Sequence, residues 1–245
     1  MPVVIADGIV TRYVNYREND RIISILTPDR GRIDAKARGC RRQNSALLPV
    51  CQPFVYGQFE LFEGKDRLSV NQCEIKETFF PLREDYARFA AAAAALQLSH
   101  DASQENEPAE KLFSLLYHAL SYLAYAENHP DDLMLCFLLR YLDVTGWRPS
   151  ITSCARCNRD VRGDARLFFS ARDGGAVCAA CAASAEPVEK RTLEAMRRML
   201  LLSDADMKKV VLPEELRAEL TRILSGYVSE RLEHGERALK TWTGA

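Results

Sequence analysis

The sequence predicts an α+β chain, with a small closed β-barrel over residues 1–80 and a helical domain over 81–245 that carries an inserted four-cysteine module at about 150–185. Three observations lead there. Residues 3–80 hold five short β-branched and aromatic runs separated by turn residues, with no long helical pattern among them. From Pro81 the apolar residues change to helical spacing. Between helical stretches stand Cys154-Ala-Arg-Cys157 and Cys178-Ala-Ala-Cys181, a pair of Cys-x-x-Cys knuckles.

The first strand is Gly8-Ile-Val-Thr-Arg-Tyr-Val14, and Arg17-Glu-Asn-Asp20 forms a polar turn after it. Arg21–Thr27 is the second strand, and Pro28-Asp-Arg-Gly31 places proline and glycine where a turn needs them. The third strand lies in Arg30-Gly-Arg-Ile-Asp-Ala-Lys-Ala-Arg-Gly-Cys-Arg-Arg42, which carries Arg30, Arg32, Lys36, Arg38, Arg41 and Arg42 against one acid, Asp34. Strand alternation sends Ile33, Ala35 and Ala37 to one face and Arg32, Lys36 and Arg38 to the other. Gly39 ends this strand, and Cys40–Leu47 reads as a loop. Phe54–Phe62 is the fourth strand, Glu63–Asp66 a turn, and Arg67–Ile75 the fifth. Five such strands fit the OB-fold, a barrel that binds single strands with cationic side chains and exposed aromatics.

The basic strand and loop supply what a phosphate backbone needs. The competing reading is a solvated edge strand whose charges prevent aggregation. On the fourth strand Val55, Gly57, Phe59 and Leu61 share one face, and Phe54, Tyr56 and Gln58 the other. Tyr56 or Phe54 is then placed to stack a base, with core packing the commoner role for either. Arg12 and Tyr13 are candidates of the same kind. The candidate DNA-binding set is Arg12, Arg32, Lys36, Arg38, Arg41, Arg42 and Tyr56.

Helices follow. Arg83–His100 contains the unbroken run Ala90–Ala95. Ser99–Pro108 reads as an acidic loop. Leu112, Leu115, Leu116, Ala119 and Leu123 define a second helix. Asp131 or Asp132 is placed to cap a third, with Leu135, Leu138, Leu139 and Leu142. Gly146 fits its C-terminal end. His100, His118 and His129 stand singly and read as structural or surface residues.

Each cysteine knuckle offers two thiolates to one tetrahedral Zn2+, with Leu167-Phe-Phe169 and Gly174-Gly175 suggesting a hairpin between them. Disulfides and thiol redox chemistry are the competing readings. A four-sulfur site leaves no open position, so the ion would be structural and its binding would contribute folding free energy. Cys40, Cys51, Cys73 and Cys136 are scattered and read as packing residues. Arg156, Arg159 and Arg162 beside the first knuckle read as solvated surface. Leu193, Met196 and Leu200 mark another helix. Pro213 opens a last one with Leu216, Leu220, Ile223 and Tyr227, and the tail from Ala238 is expected to fray.

Composition bounds the function. The 245 residues are 47% hydrophobic and 27% charged with net charge −1, so no global field announces a nucleic-acid binder. Locally, residues 1–80 are net +2, 81–153 net −5 and 154–245 net +2. No apolar run is long enough to span a bilayer, and no signal-peptide pattern opens the sequence, so a cytoplasmic protein with reduced thiols is expected.

The ordered set Asp7-Gly-Ile-Val10, Thr27 with Gly31, Ala37-Arg-Gly39 with Arg41-Arg42, Gly146-Trp147-x-Pro149 and the two knuckles resembles the RecO recombination-mediator family of bacteria. The resemblance covers almost the whole chain. It implies an OB-fold, a helical domain and a zinc-binding module. It also implies binding of single- and double-stranded DNA and annealing of complementary strands, close to the nucleoid. Implied partners are RecR and the C-terminal tail of single-stranded-DNA-binding protein (SSB), with RecA loaded indirectly. That acidic tail would need a local basic pocket in the acidic middle of the chain, with Arg140 or Arg148 as candidates. An enzyme is poorly supported: there is no phosphate-cradling glycine loop, no His-Glu-x-x-His and no histidine beside the cysteines. The remaining alternative is a zinc-stabilised protein-interaction scaffold that never touches DNA.

Overall fold

A computed structural model describes residues 2–64, 67–183 and 185–244. Strands β1 (Val3–Tyr16), β2 (Asp20–Thr27), β3 (Gly31–Ala37), β4 (Tyr56–Glu63) and β5 (Leu68–Glu77) close into a barrel in the order β1-β2-β3-β5-β4. The strand β1 is twice the expected length because it serves two partners. Its first half pairs with β4 and its second half with β2, with a bulge between Val10 and Arg12. A short parallel contact, Ala35 with Leu68 and Lys36 with Ser69, closes the ring. The strand β3 alternates as its pattern predicts: Ile33, Ala35 and Ala37 are buried, while Arg32, Asp34 and Lys36 face outward. Val10, Ile23, Ile25, Phe59 and Leu61 join them in the barrel core, each contributing roughly 2 kcal/mol by leaving water. Cys40 and Cys51 are buried in the same core, and burial pushes the Cys51 thiol up to about 12. Lys65 and Asp66, in the turn expected before β5, lie outside the described residues.

Helix α1 (Tyr86–Ala102) is capped by Asp85, whose carboxylate accepts the Arg88 N–H at 3.0 Å. Helix α2 (Glu110–Tyr125) buries Leu112, Leu115, Leu116, Ala119 and Leu123 as spaced. The acidic connection between them is not a free loop. It clasps the β2–β3 turn through Arg32 N–H to Gln104 O (2.9 Å), Asn106 N–H to Arg30 O (3.0 Å) and Ala109 N–H to Pro28 O (2.8 Å). Gly31 is required there: its φ is +63°, and a Cβ would lie 2.2 Å from the Gln104 carbonyl oxygen.

Two compact units result, Met1–Phe89 with Leu96–Ala124 and Ala90–Ala95 with Tyr125–Ala245. This division differs from a boundary drawn where the apolar period changes, because α2 packs on the barrel. Tyr117 meets Tyr56 edge to face at 5.2 Å and Phe79 at 6.0 Å.

The second unit holds α3 (Pro130–Val144), the hairpin β6 (Leu167–Ser170) and β7 (Gly175–Cys178), then β8 (Glu186–Val188), α4 (Lys190–Leu201), α5 (Glu214–Arg231) and α6 (Gly235–Thr243). The sheet order is β7-β6-β8. Two expectations are corrected. His129, not Asp131 or Asp132, caps α3 by accepting the Asp131 N–H, and Asp132 turns inward. The tail does not fray: Ala238 and Leu239 are buried, and the Trp242 indole donates to Asp131 at 2.7 Å. The strand β8 has three residues and a proline, too short to carry a period. No helix among the described residues is long and apolar enough to cross a membrane.

Candidate nucleic-acid interface and metal centre

The antiparallel register Arg21–Ala37 places the β1–β2 turn beside the start of the β3–β4 connection. An open cleft of about 590 Å³ forms there, lined by Arg17, Asp20, Lys36, Arg38, Gly39 and Arg42. Several bonds hold its walls together. Asp20 accepts the Gly39 N–H at 2.8 Å and pairs with Lys36 at 3.0 Å. The Arg41 N–H reaches the Asn19 carbonyl, and its guanidinium the Glu18 carbonyl, both at 3.0 Å. The Gly39 N–H, followed by the Lys36 ammonium, holds the Asp20 carboxyl below its ordinary range. Lys36 also lies 4.9 Å from the centre of the Tyr16 ring, and Arg17 lies 5.4 Å from it.

Arg38, Arg41 and Arg42 are exposed, as is Arg12 on the bulged part of β1. Among the described residues, Arg12, Arg38 and Arg42 have no carboxylate within ion-pair distance. Three other nominees have more occupied surroundings. Arg32 points along the barrel wall to the end of α1, where its guanidinium donates to the carbonyls of Ser103 (3.2 Å) and His100 (3.5 Å). Tyr56 is half-buried, packed edge to face against Phe113 and Tyr117, with the Lys76 ammonium 5.5 Å from its ring centre. Lys36 reaches the cleft with its charge matched by Asp20. Phe54 is buried against Phe89, and Tyr13 lies under the Arg21 guanidinium at 3.8 Å. Exposed aromatic side chains near the barrel include Phe80 and Tyr86, with Arg83, Glu84, Asp85 and Arg88 around them. Arg17 was missed because it sits in a turn read only as polar.

The single histidines are structural. His100 is buried, its Nδ1 3.1 Å from Thr11 Oγ1, and His118 bonds the Ser114 carbonyl. Arg140 is tied to Asp204 and the Leu202 carbonyl, which removes it as a pocket cation. Arg148 does line a groove of about 700 Å³, with Ile151, Arg162, Arg197 and the exposed Leu201.

Ligating sulfurs of Cys154, Cys157, Cys178 and Cys181 lie within 4.8 Å of one another, and Cys157 and Cys178 are 3.8 Å apart. A tetrahedral ion with metal–sulfur bonds of about 2.3 Å needs sulfur–sulfur edges of about 3.8 Å, so the four thiols fit one metal ion. Burial raises the Cys154 thiol, but the N–H groups of Cys178, Cys157 and Arg156 more than reverse this and bring it to about 6. The neighbouring Cys178 thiol, with burial and Cys157, pushes Cys181 up to about 12. Four thiolates repel one another, and a central cation removes that repulsion. Gly175, with φ +149°, lets β7 lie against Ser150, whose carbonyl oxygen would be 2.1 Å from a Cβ there. Arg156, Arg159 and Arg162 are paired with Asp173, Asp164 and Asp160.

The chain thus carries a closed five-stranded barrel of the OB type, helices and a four-thiol knuckle pair. Two family models cover the chain: "Recombination protein O N terminal" matches residues 1–79 and "Recombination protein O C terminal" residues 83–240. The chain belongs to the RecO family. It is 34% identical to the DNA repair protein RecO of Streptomyces avermitilis over 96% of each chain. It is 35% identical to that of Pelotomaculum thermopropionicum over 93% of this chain and 89% of the relative. For the protein of Symbiobacterium thermophilum the figures are 33%, 93% and 91%.

Proposed function

We propose that this RecO-family DNA repair protein is a non-catalytic recombination mediator that binds single- and double-stranded DNA through the cleft at the barrel end. The observation that carries the reading is the convergence of Arg17, Arg38 and Arg42 on one open cleft, with Arg41 and Arg12 exposed besides. Cationic side chains there neutralise phosphates, and a strand so neutralised meets its complement with less repulsion. Annealing of complementary strands and loading of RecA on SSB-coated DNA then need positioning and charge, not bond-making. RecR and the SSB tail are the partners of this reading, and the cytoplasm beside the nucleoid its place.

The groove of Arg148, Arg162, Arg197, Ile151 and Leu201 supports the SSB-tail part, since an acidic peptide with an apolar end needs cations beside a greasy wall. The same groove favours the second reading, a protein scaffold without DNA contact. The ion at the four cysteines is zinc, which suits a closed set of soft thiolates.

The test is an annealing assay on SSB-coated complementary strands over a salt series, with the R38E/R42E variant beside the wild type. Loss of annealing and of direct DNA binding in the variant is expected. Unchanged binding at every salt concentration discards the cleft, and a nuclease-resistant pull-down of partners then favours the scaffold.

A further inference from the structure

We propose that Asp20 is a positioning residue for the cationic cleft, clipping the β3–β4 connection to the β1–β2 turn so that Arg17, Arg38 and Arg42 face one phosphate run. The inference rests on the reading of this cleft as the DNA-binding face. An acid on such a face ought simply to repel DNA. The geometry gives Asp20 a different task. One carboxylate oxygen takes the Gly39 N–H at 2.8 Å and the other the Lys36 ammonium at 3.0 Å, and both side chains of the ion pair are only 17% exposed.

Gly39 is the point where the chain leaves β3. Its φ is +64°, so the strand breaks off there and the N–H turns toward the β1–β2 turn. Fixing that N–H fixes the direction in which Arg38 and Arg42 leave the barrel wall. Glu18 is the natural control. It is an acid on the same turn and exposed, but among the described residues it contributes only its backbone carbonyl, to Arg41. Glu18 and Asp20 therefore carry the same charge at the same end of the barrel, and only Asp20 holds the connection with its side chain.

The two residues separate charge from position. Binding of the full chain to a fluorescein-labelled oligothymidylate is read by anisotropy at two salt concentrations, with melting curves for each variant. E18A removes a negative charge and should bind about twofold tighter. D20A removes the same charge together with the clip and should bind roughly tenfold weaker. D20E keeps the charge but misplaces the carboxylate, and should weaken binding at an unchanged salt slope; it decides the matter should D20A fail to fold. Tighter binding by D20A, or wild-type binding by D20E, overturns the role of Asp20 alone. Wild-type binding by R38E/R42E overturns the cleft as the DNA site, and the role of Asp20 with it.

Discussion

The Arg32 guanidinium donates to the Ser103 carbonyl at 3.2 Å, just past the end of α1. The basic residues of the third strand and its exit therefore differ in surroundings along the chain. Arg32, at the strand's first end, helps hold α1 to the barrel, while Lys36 and Arg38 at the other end reach the cleft. R32A should lower the stability of the chain by about 1–2 kcal/mol, the usual loss when a charged donor is taken from a carbonyl, here that of Ser103. It should leave the salt dependence of DNA binding unchanged. R38A should do the reverse, with stability kept and the slope of log K against log salt falling by about 0.7 for a single strand. Urea denaturation and anisotropy across salt check both; a reduced slope in R32A would return that residue to the DNA face.

These two arginines also show how far the sequence could be read. Strand alternation placed Ile33, Ala35 and Ala37 inside and the charges outside, because burial in a barrel obeys the period of the backbone. It carried no information on what covers the outer face. That depends on the α1–α2 connection folding over the β2–β3 turn, a contact between residues some seventy positions apart. Tyr56 was uncertain for the same reason, since only the arrival of Tyr117 decides whether its ring meets a base or a helix. The four cysteines were legible because each knuckle fixes its own two sulfurs locally. Asp20 was not, because its carboxylate works on Gly39, a residue with no side chain to signal the contact.

His100 predicts a loss of stability in mild acid. Burial, followed by the nearby Arg32 charge, lowers its pKa below the ordinary value, against a weaker opposing pull from Asp101. The Thr11 hydroxyl donates to the Ser24 carbonyl at 3.2 Å, so the His100 Nδ1–H donates to Thr11. In the unfolded chain the imidazole takes up its proton near pH 6.5. Below that the unfolded state binds more protons than the folded one. Stability is therefore full above about pH 6.5 and is lost as pH falls through the lower folded value. Asp20, Asp160, Asp173 and Asp206 have carboxyls held below 3.8 and titrate outside this window. The urea midpoint should fall between pH 7.5 and pH 5, and H100Q should flatten that part of the profile. An equally steep fall in H100Q would assign it to other groups.

Asp132 predicts a large and asymmetric cost. Its carboxylate is 1% exposed, meets Arg217 Nε at 2.7 Å and accepts the Leu212 N–H at 3.1 Å, joining α3 to α5. D132A leaves a guanidinium and a backbone donor without this partner, which should cost about 3–5 kcal/mol. Replacing both partners, as D132L/R217M, should cost much less, because no charge is then left unpaired in the interior. Equal losses in the two variants would show that packing, not pairing, sets the value of the site.

Metal removal should unfold one module and spare the barrel. Around the four cysteines the hairpin of β6 and β7 contributes few large apolar side chains, Leu167, Phe169 and Val177 being the main ones buried. So small a core should not hold the knuckles by itself, and a bound ion would supply much of the folding free energy there. The sulfurs are already oriented, with the Cys178 N–H directed at Cys154 Sγ at 3.4 Å. One zinc per chain is expected by elemental analysis, and cobalt in its place should give the spectrum of a closed tetrahedral thiolate site, unresponsive to added anions. C154S, or chelation of the wild type, should abolish amide protection over residues 150–183 while peptides from β1 to β5 keep theirs. DNA binding at the barrel cleft should persist in the same sample within about twofold, since Arg38 and Arg42 are anchored by β3 and not by the module. Loss of barrel protection on chelation would show that the ion stabilises the whole chain, and cobalt spectra that change with added ligand would show an open coordination position.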